Sequence, residues 1–188
     1  ASSGDDATVL FEVLPGPQVL IRSSQVQMAG PAAHDPDVET AIAQFQPRIG
    51  QPLDHASYEA SKQRIDTTLQ NSGYFDASLQ RHRVEVTRAT RSADIDLAWN
   101  GGERYRLGEA RFSGAQFPAR FLQRYLPWTP DSAYSVDRLL TLQQRLVDAD
   151  YFSTVSVQPA LDERSGGQVP VDVLLLPAKR SVYTAAAY

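Results

Sequence analysis

The sequence predicts an α+β protein made of two tandem units, each running strand, helix, helix, strand, strand, so that a three-stranded mixed sheet carries two helices on one face. Three observations predict it. An amphipathic helix that stops at a small or acidic residue followed by Tyr-Phe and then a strand occurs twice, ending in Gly73-Tyr74-Phe75 and in Asp150-Tyr151-Phe152. Each copy is preceded by an extended stretch and a shorter helical pattern. Each is followed by a closing run of alternating apolar residues, and the offsets between copies (Gly30 to Gly114, Tyr74 to Tyr151) fit a duplication with unequal loops.

In the first unit, the apolar residues Val19, Ile21, Val26 and Met28 change parity between Ile21 and Val26, the mark of a strand with a bulge. Asp35-Pro36 opens a short helix: the carboxylate accepts from free first-turn amides and proline fits the first helical position. Val38, Ala41, Ile42 and Phe45 then repeat at three and four. After the turn at Ile49 to Pro52, Asp54 caps the long helix, whose thin stripe is Tyr58, Ile65 and Leu69; Lys62 can lay its stem over the same surface. Leu79, Val84 and Val86 mark the next strand, and Ile95, Leu97 and Trp99 the closing one, together a hairpin. Asn100-Gly101-Gly102 breaks the pattern, and with Trp99 forms the expected hinge between units.

The second unit repeats the order. Tyr105, Leu107 and Phe112 mark its first strand, and Pro118 to Leu126 a short helix. Val136, Leu139, Leu140, Leu142, Leu146 and Val147 give its long helix a fuller stripe, Val155 and Val157 follow Tyr151-Phe152, and Val171, Val173 and Leu175 close the sheet. Both Tyr-Phe pairs read as aromatic plugs that fix the helix end against the sheet. The closing pattern also occurs at Thr8–Leu14. Expected boundaries are therefore 1–16 for the last strand of a preceding unit, 17–101 and 102–179 for the complete units, and 180–188 for a tail.

Composition narrows function by exclusion. With 188 residues, 42% hydrophobic and 21% charged, the chain has the make-up of a folded globular protein. A net charge of −4 opposes nucleic-acid binding, which needs a basic face. There is no cysteine for thiol chemistry or zinc. His34, His55 and His82 fall in separate segments, and no catalytic motif surrounds them; Asp35 and Asp37 beside His34 serve a helix N-terminus better than a metal. No enzyme activity, cofactor or metal is expected. Two helices cover only one face of a small sheet, so its edges stay open to an added strand.

Strand-helix-helix-strand-strand units in tandem, with Gly-Tyr-Phe or Asp-Tyr-Phe between the second helix and second strand, resemble POTRA domains, the periplasmic repeats of the BamA-type superfamily of outer-membrane assembly proteins. The resemblance covers about Pro17 to Pro177. The tail, Leu174 to Tyr188 with its small residues and spaced tyrosines, looks like the passage into the first strand of a transmembrane barrel in TamA-like proteins. The resemblance implies the second and third POTRA domains of a periplasmic array that receives unfolded outer-membrane or autotransporter clients. Implied partners are an inner-membrane TamB-like subunit, reached through these units or through a missing first domain, and the protein's own barrel. Its implied means is β-augmentation on the strand after each Tyr-Phe pair: Arg81, His82, Arg83, Val84 and Glu85 in one unit, Thr154, Val155, Ser156 and Val157 in the other. Of these, Arg81, His82, Arg83 and Glu85 would point outward or form the rim, and Pro159 would end pairing on the second edge. The rival reading is an adaptor or spacer of the cell-division FtsQ type or from a two-partner secretion transporter.

Overall fold

The computed structural model describes residues 18–114 and 117–178. In the first unit β1 (Leu20–Ala29), α1 (Pro36–Ala43), α2 (His55–Asn71), β2 (Ser78–Thr87) and β3 (Ser92–Asn100) come in order. The second has β4 (Arg106–Ser113), α3 (Ala119–Leu122), α4 (Val136–Asp148), β5 (Phe152–Pro159) and β6 (Gln168–Pro177). Short 3₁₀ turns supplement these at Pro31–His34, Gln123–Tyr125 and Leu161–Glu163, the first and third unanticipated by the periodicity. The expected strand at Thr8–Leu14 and the tail at 180–188 lie outside the described residues.

Both sheets put the last strand in the middle, in the orders β1-β3-β2 and β4-β6-β5. The central strand runs parallel to the first and antiparallel to the second, so each sheet is mixed, as expected. β1 carries its bulge between Ile21 and Ser23, and β4 carries one between Leu107 and Ala110.

Local chemistry sets the helix ends. Asp35 accepts from the Asp37 amide at 3.1 Å with Pro36 in the first turn, and Asp54 accepts from the Ser57 amide at 2.9 Å. Ser135 stands at the N-cap of α4 without a side-chain capping bond. Beyond the helix C-termini the chain turns through left-handed φ, at Gly73 (φ 90) after α2 and at Asp150 (φ 57) after α4.

Each unit has its own core. Val38, Ile65, Leu69, Ile95, Leu97 and Trp99 are fully buried in the first, with Phe45, Tyr58 and Tyr74 beside them. Leu122, Leu139, Leu142, Leu146, Val169, Val171, Val173 and Leu175 fill the second. Each such side chain contributes about 1.5–3 kcal/mol by leaving water. Lys62 lies with its ammonium 5.2 Å from the centre of the Tyr58 ring, as its position on the stripe implied. Leu140 and Val147, expected on the apolar stripe of α4, instead stand about half exposed on its shoulders.

Candidate strand-accepting edges and the joint between units

The two outer edges of each sheet differ. The turn between the helices returns to the start of the first strand and pairs with it. Leu53 N–H donates to the Val19 carbonyl at 2.7 Å and Ile21 N–H to the Gln51 carbonyl at 2.8 Å. In the second unit Leu107 N–H donates to the Ser132 carbonyl at 2.8 Å. The first strands are thus tied down at their start and bulged just beyond. Among the described residues, no other segment makes a backbone hydrogen bond to the outer edge of β2 or β5. Those edges keep a row of main-chain donors and acceptors facing out.

Along β2 the pleat sorts the expected site residues onto two faces. Arg81, Arg83 and Glu85 pair with Ala98, Asp96 and Asp94 on the helix-free face, where Arg81 bonds Asp96 at 2.7 Å and Arg83 pairs with Glu85. His82 and Val84 lie opposite Leu97 and Ile95, on the helix side. The His82 ring stacks on Tyr58, centroids 6.1 Å apart, so this histidine turns toward the helix layer although it remains exposed. Val84 and Val86 extend past the helices and are 36% and 48% exposed.

On β5, Val155 and Val157 pair with Leu175 and Val173 and pack on the second core, while Thr154 and Ser156 lie opposite Leu176 and Leu174 on the helix-free face. Pro159 is the last paired residue. The helix-free faces are laced with ion pairs, Arg22 with Asp94 and Arg111 with Asp172 (2.7 Å) and Glu163 (2.5 Å). The Arg22 and Ser23 bonds hold the Asp94 carboxyl below its usual range, and Arg111 does the same for Glu163.

The two Tyr-Phe pairs meet the plug expected of both only in part. Tyr74 is buried in the first core, its hydroxyl donating to Asp35 at 3.3 Å; burial, then the Asp35 charge, raises its pKa. Phe75 points the other way and belongs to the second unit's cluster, its ring centre 4.8 Å from Tyr134 and 5.5 Å from Tyr105. In the second copy Tyr151 is 50% exposed, a departure from the buried plug, and Phe152 is half-buried. Asp150 supplies the turn there without a following unit, among the described residues, to close over the rings.

The expected hinge is also corrected. Trp99 is buried in the first core, its indole N–H donating to Asp66 on α2 at 2.8 Å, and does not pack between units. Asn100 is still in β3, and Gly101 N–H donates to the Ala29 carbonyl at 3.0 Å. A Cβ on Gly101 would overlap the Ala32 methyl, so glycine is needed there for close packing. Of the four expected residues Gly102 (φ 65) stays at the change of unit, which runs on to Arg104.

There the joint is made mostly by residues with no sequence motif. Arg104 donates through Nε to the Ser72 carbonyl at 2.8 Å and through Nη2 to the Tyr134 carbonyl at 3.2 Å, while Nη1 lies 3.2 Å from the buried Asp35 carboxylate. Tyr105 N–H donates to the Gly73 carbonyl at 2.9 Å and its hydroxyl to Asp76 at 2.9 Å. Arg164 reaches Asp76 at 3.3 Å. The one nearby signal is that Arg104-Tyr105 follows the double glycine after a single residue, Glu103.

Residues 105–175 match the POTRA family model, described as a surface antigen variable number repeat. Among solved structures, the chain is similar to BamA from Haemophilus ducreyi lacking POTRA domains 1–3, with TM-score 0.60 and 15% identity over 85% of this chain and 29% of that one. It is similar to BamA POTRA domains 3–5 from Haemophilus influenzae, with TM-score 0.55 and 18% identity over 86% of this chain and 62% of that one. POTRA domains 1–2 of the periplasmic domain of Omp85 from Anabaena give TM-score 0.51 and 15% identity over 84% of this chain and 95% of that one. At these identities the likeness establishes the fold: two tandem POTRA-type βααββ units. The chain spans less than two thirds of either BamA chain.

Proposed function

We propose that this chain is the periplasmic POTRA region of an outer-membrane β-barrel protein of the BamA and Omp85 kind, which receives extended client or partner segments by adding them as a strand to β2 and, more weakly, β5. The observation that carries this reading is the asymmetry of the sheet edges. The first strands are capped by the turn between the helices; β2 is left long and uncapped, with Val84 and Val86 exposed where an added strand would set alternate side chains. Main-chain pairing makes little demand on client sequence, which suits a receptor for many unfolded barrels. β5 is two residues shorter than β2, ends at Pro159 and leans on α4, so the first unit is the better acceptor.

Within that class, the pattern of the tail favours a TamA-like factor with autotransporter clients and a TamB-like inner-membrane partner. The test is an amide-NMR titration of the 188-residue chain with an unfolded peptide from the last strand of an outer-membrane barrel. Shifts concentrated on Arg81–Glu85, with smaller ones on Thr154–Val157, are the expected result. Shifts elsewhere, or none at millimolar peptide, overturn strand addition and leave a spacer or partner-docking array.

A further inference from the structure

The open edge of β2 has a side-chain order that is complementary to itself. After the register shift between Leu79 and Arg81, β2 pairs with β3 without interruption from Arg81 to Thr87, a stretch with Val84 at its middle. A second copy of this chain laid antiparallel on that edge, about a two-fold axis perpendicular to the sheet, keeps both helix layers on one side and sets opposite residues on the same face. With the axis through Val84, Arg83 of each copy faces Glu85 of the other, Arg81 faces Thr87, and His82 faces Val86. Val84 meets Val84, with Val86 of the other copy on the diagonal, so the two valines that stand 36% and 48% exposed cover one another.

Neighbouring registers lose this match. An axis through Arg83 sets the two arginines against each other, one through Glu85 the two carboxylates, and one through His82 sets Arg81 against Arg83; like charges directly opposite are destabilising. An axis through Val86 leaves Arg83 and Val84 opposite the turn that follows β2. Within one chain Glu85 lacks the cross-strand cation that a copy would supply: on β3 it lies opposite Asp94, a like charge held by Arg22. Its counter-ion is Arg83 on its own strand, and both side chains are more than half exposed, at 66% for Arg83 and 56% for Glu85. β5 has no such charge order. Thr154 and Ser156 are uncharged on its helix-free face, and Pro159 closes the ladder.

We propose that β2 pairs antiparallel with β2 of a second copy of this chain, centred on Val84, so that two first units join their sheets into one. A strand of this length buries less than a standard interface, so the dimer is reversible and dissociates on dilution. It uses the same open edge as client receipt but does not depend on that reading. Where both occur they exclude each other, the second copy holding the edge until a client segment displaces it.

The test is sedimentation velocity of the full chain over a concentration series up to millimolar, with Arg83→Glu, Glu85→Arg and an equimolar mixture of the two variants. Expected is a weight-average mass that rises with concentration from one chain toward two. Each single variant sets like charges opposite one another twice per dimer and should weaken pairing about tenfold or more. The mixture should restore it, because in the mixed pair every acid faces a base. Both side chains are exposed, so circular dichroism melts of the variants should match the parent. A parent chain that stays monomeric throughout overturns the proposal, as does a dimer that both single variants keep. If the monomeric chain still shifts with the barrel peptide, the dimer falls and client receipt stands. A dimer that the mixture restores, in a chain with no peptide response, upholds the pairing and removes the client reading.

Discussion

The two units share one topology and place their aromatic rings oppositely. The first buries Phe45, Tyr58, Tyr74 and Trp99 to 6% exposure or less inside its own core. The second fills its centre with leucine and valine and carries Phe75, Tyr105, Phe112, Phe117, Phe121, Tyr125, Trp128 and Phe152 partly buried around it. Its one fully buried ring among the described residues, Tyr134, meets Phe75 of the first unit. Rings hold much of a small domain's burial energy. The first unit therefore stabilises itself, while the second draws part of its stability from Phe75 of the first.

The largest expected effect breaks the first core. Trp99→Ala removes a fully buried ring and the Asp66 bond, and should cost about 4 kcal/mol; calorimetry should show the first unit's transition lost or far lowered and the second's lowered less. Leu146→Ala does the converse at about 3 kcal/mol. Gly73→Ala tests dependence across the joint. At φ 90, with its new Cβ only 2.8 Å from the Tyr134 Cβ, it should cost about 1–3 kcal/mol. Urea melts should show the second unit destabilised along with the first, whereas an unchanged second transition would show the units to be independent.

Titration sharpens the contrast. Burial pushes Tyr58 up to about 12 and raises Tyr134 as well. A raised folded pKa stabilises below the unfolded value near 10 and is lost as pH climbs through the folded one. Both units should loosen above about pH 10, with tyrosinate absorbance rising together with loss of circular dichroism. Tyr58 has no hydrogen-bond partner for its hydroxyl among the described residues, so Tyr58→Phe should be neutral or stabilising and should move the first unit's alkaline transition upward.

On the acid side the helix caps differ. The Ser57 hydroxyl, then its amide, hold Asp54 below the usual carboxylate range, and this stabilisation is lost as pH falls through that depressed value. α4 has no such carboxylate cap. Asp54→Asn should lessen the first unit's loss of stability below about pH 4, and leave the second unit's profile unchanged. Leu140→Gln, on an exposed shoulder of α4, should change stability by no more than about 0.5 kcal/mol, as thermal melts can check.

How much of this was legible depends on the range of the forces involved. Caps at Asp35 and Asp54, the alternation of Ile95, Leu97 and Trp99, and the parity change in β1 are local, so adjacent residues spell them out. Burial of Leu139, Leu142 and Leu146 came from periodicity, and that of Tyr74 from the helix-to-strand junction it sits in. Which way Phe75 turns did not, because a half-turn after Gly73 hands it to a different core and no nearby residue encodes that choice. Trp99 beside two glycines looked like a joint for the same reason: its partner Asp66 is 33 residues away. The strand edges could be placed by order alone, whereas their capping by Gln51, Leu53 and Ser132 needed the tertiary return of a turn.

Arg104 reads carbonyl oxygens of Ser72 and Tyr134, not their side chains. Substitution at position 72 therefore leaves that grip in place, whereas losing the guanidinium removes three contacts at once. Drift at position 72 is therefore cheap for this contact, and drift at the arginine is not.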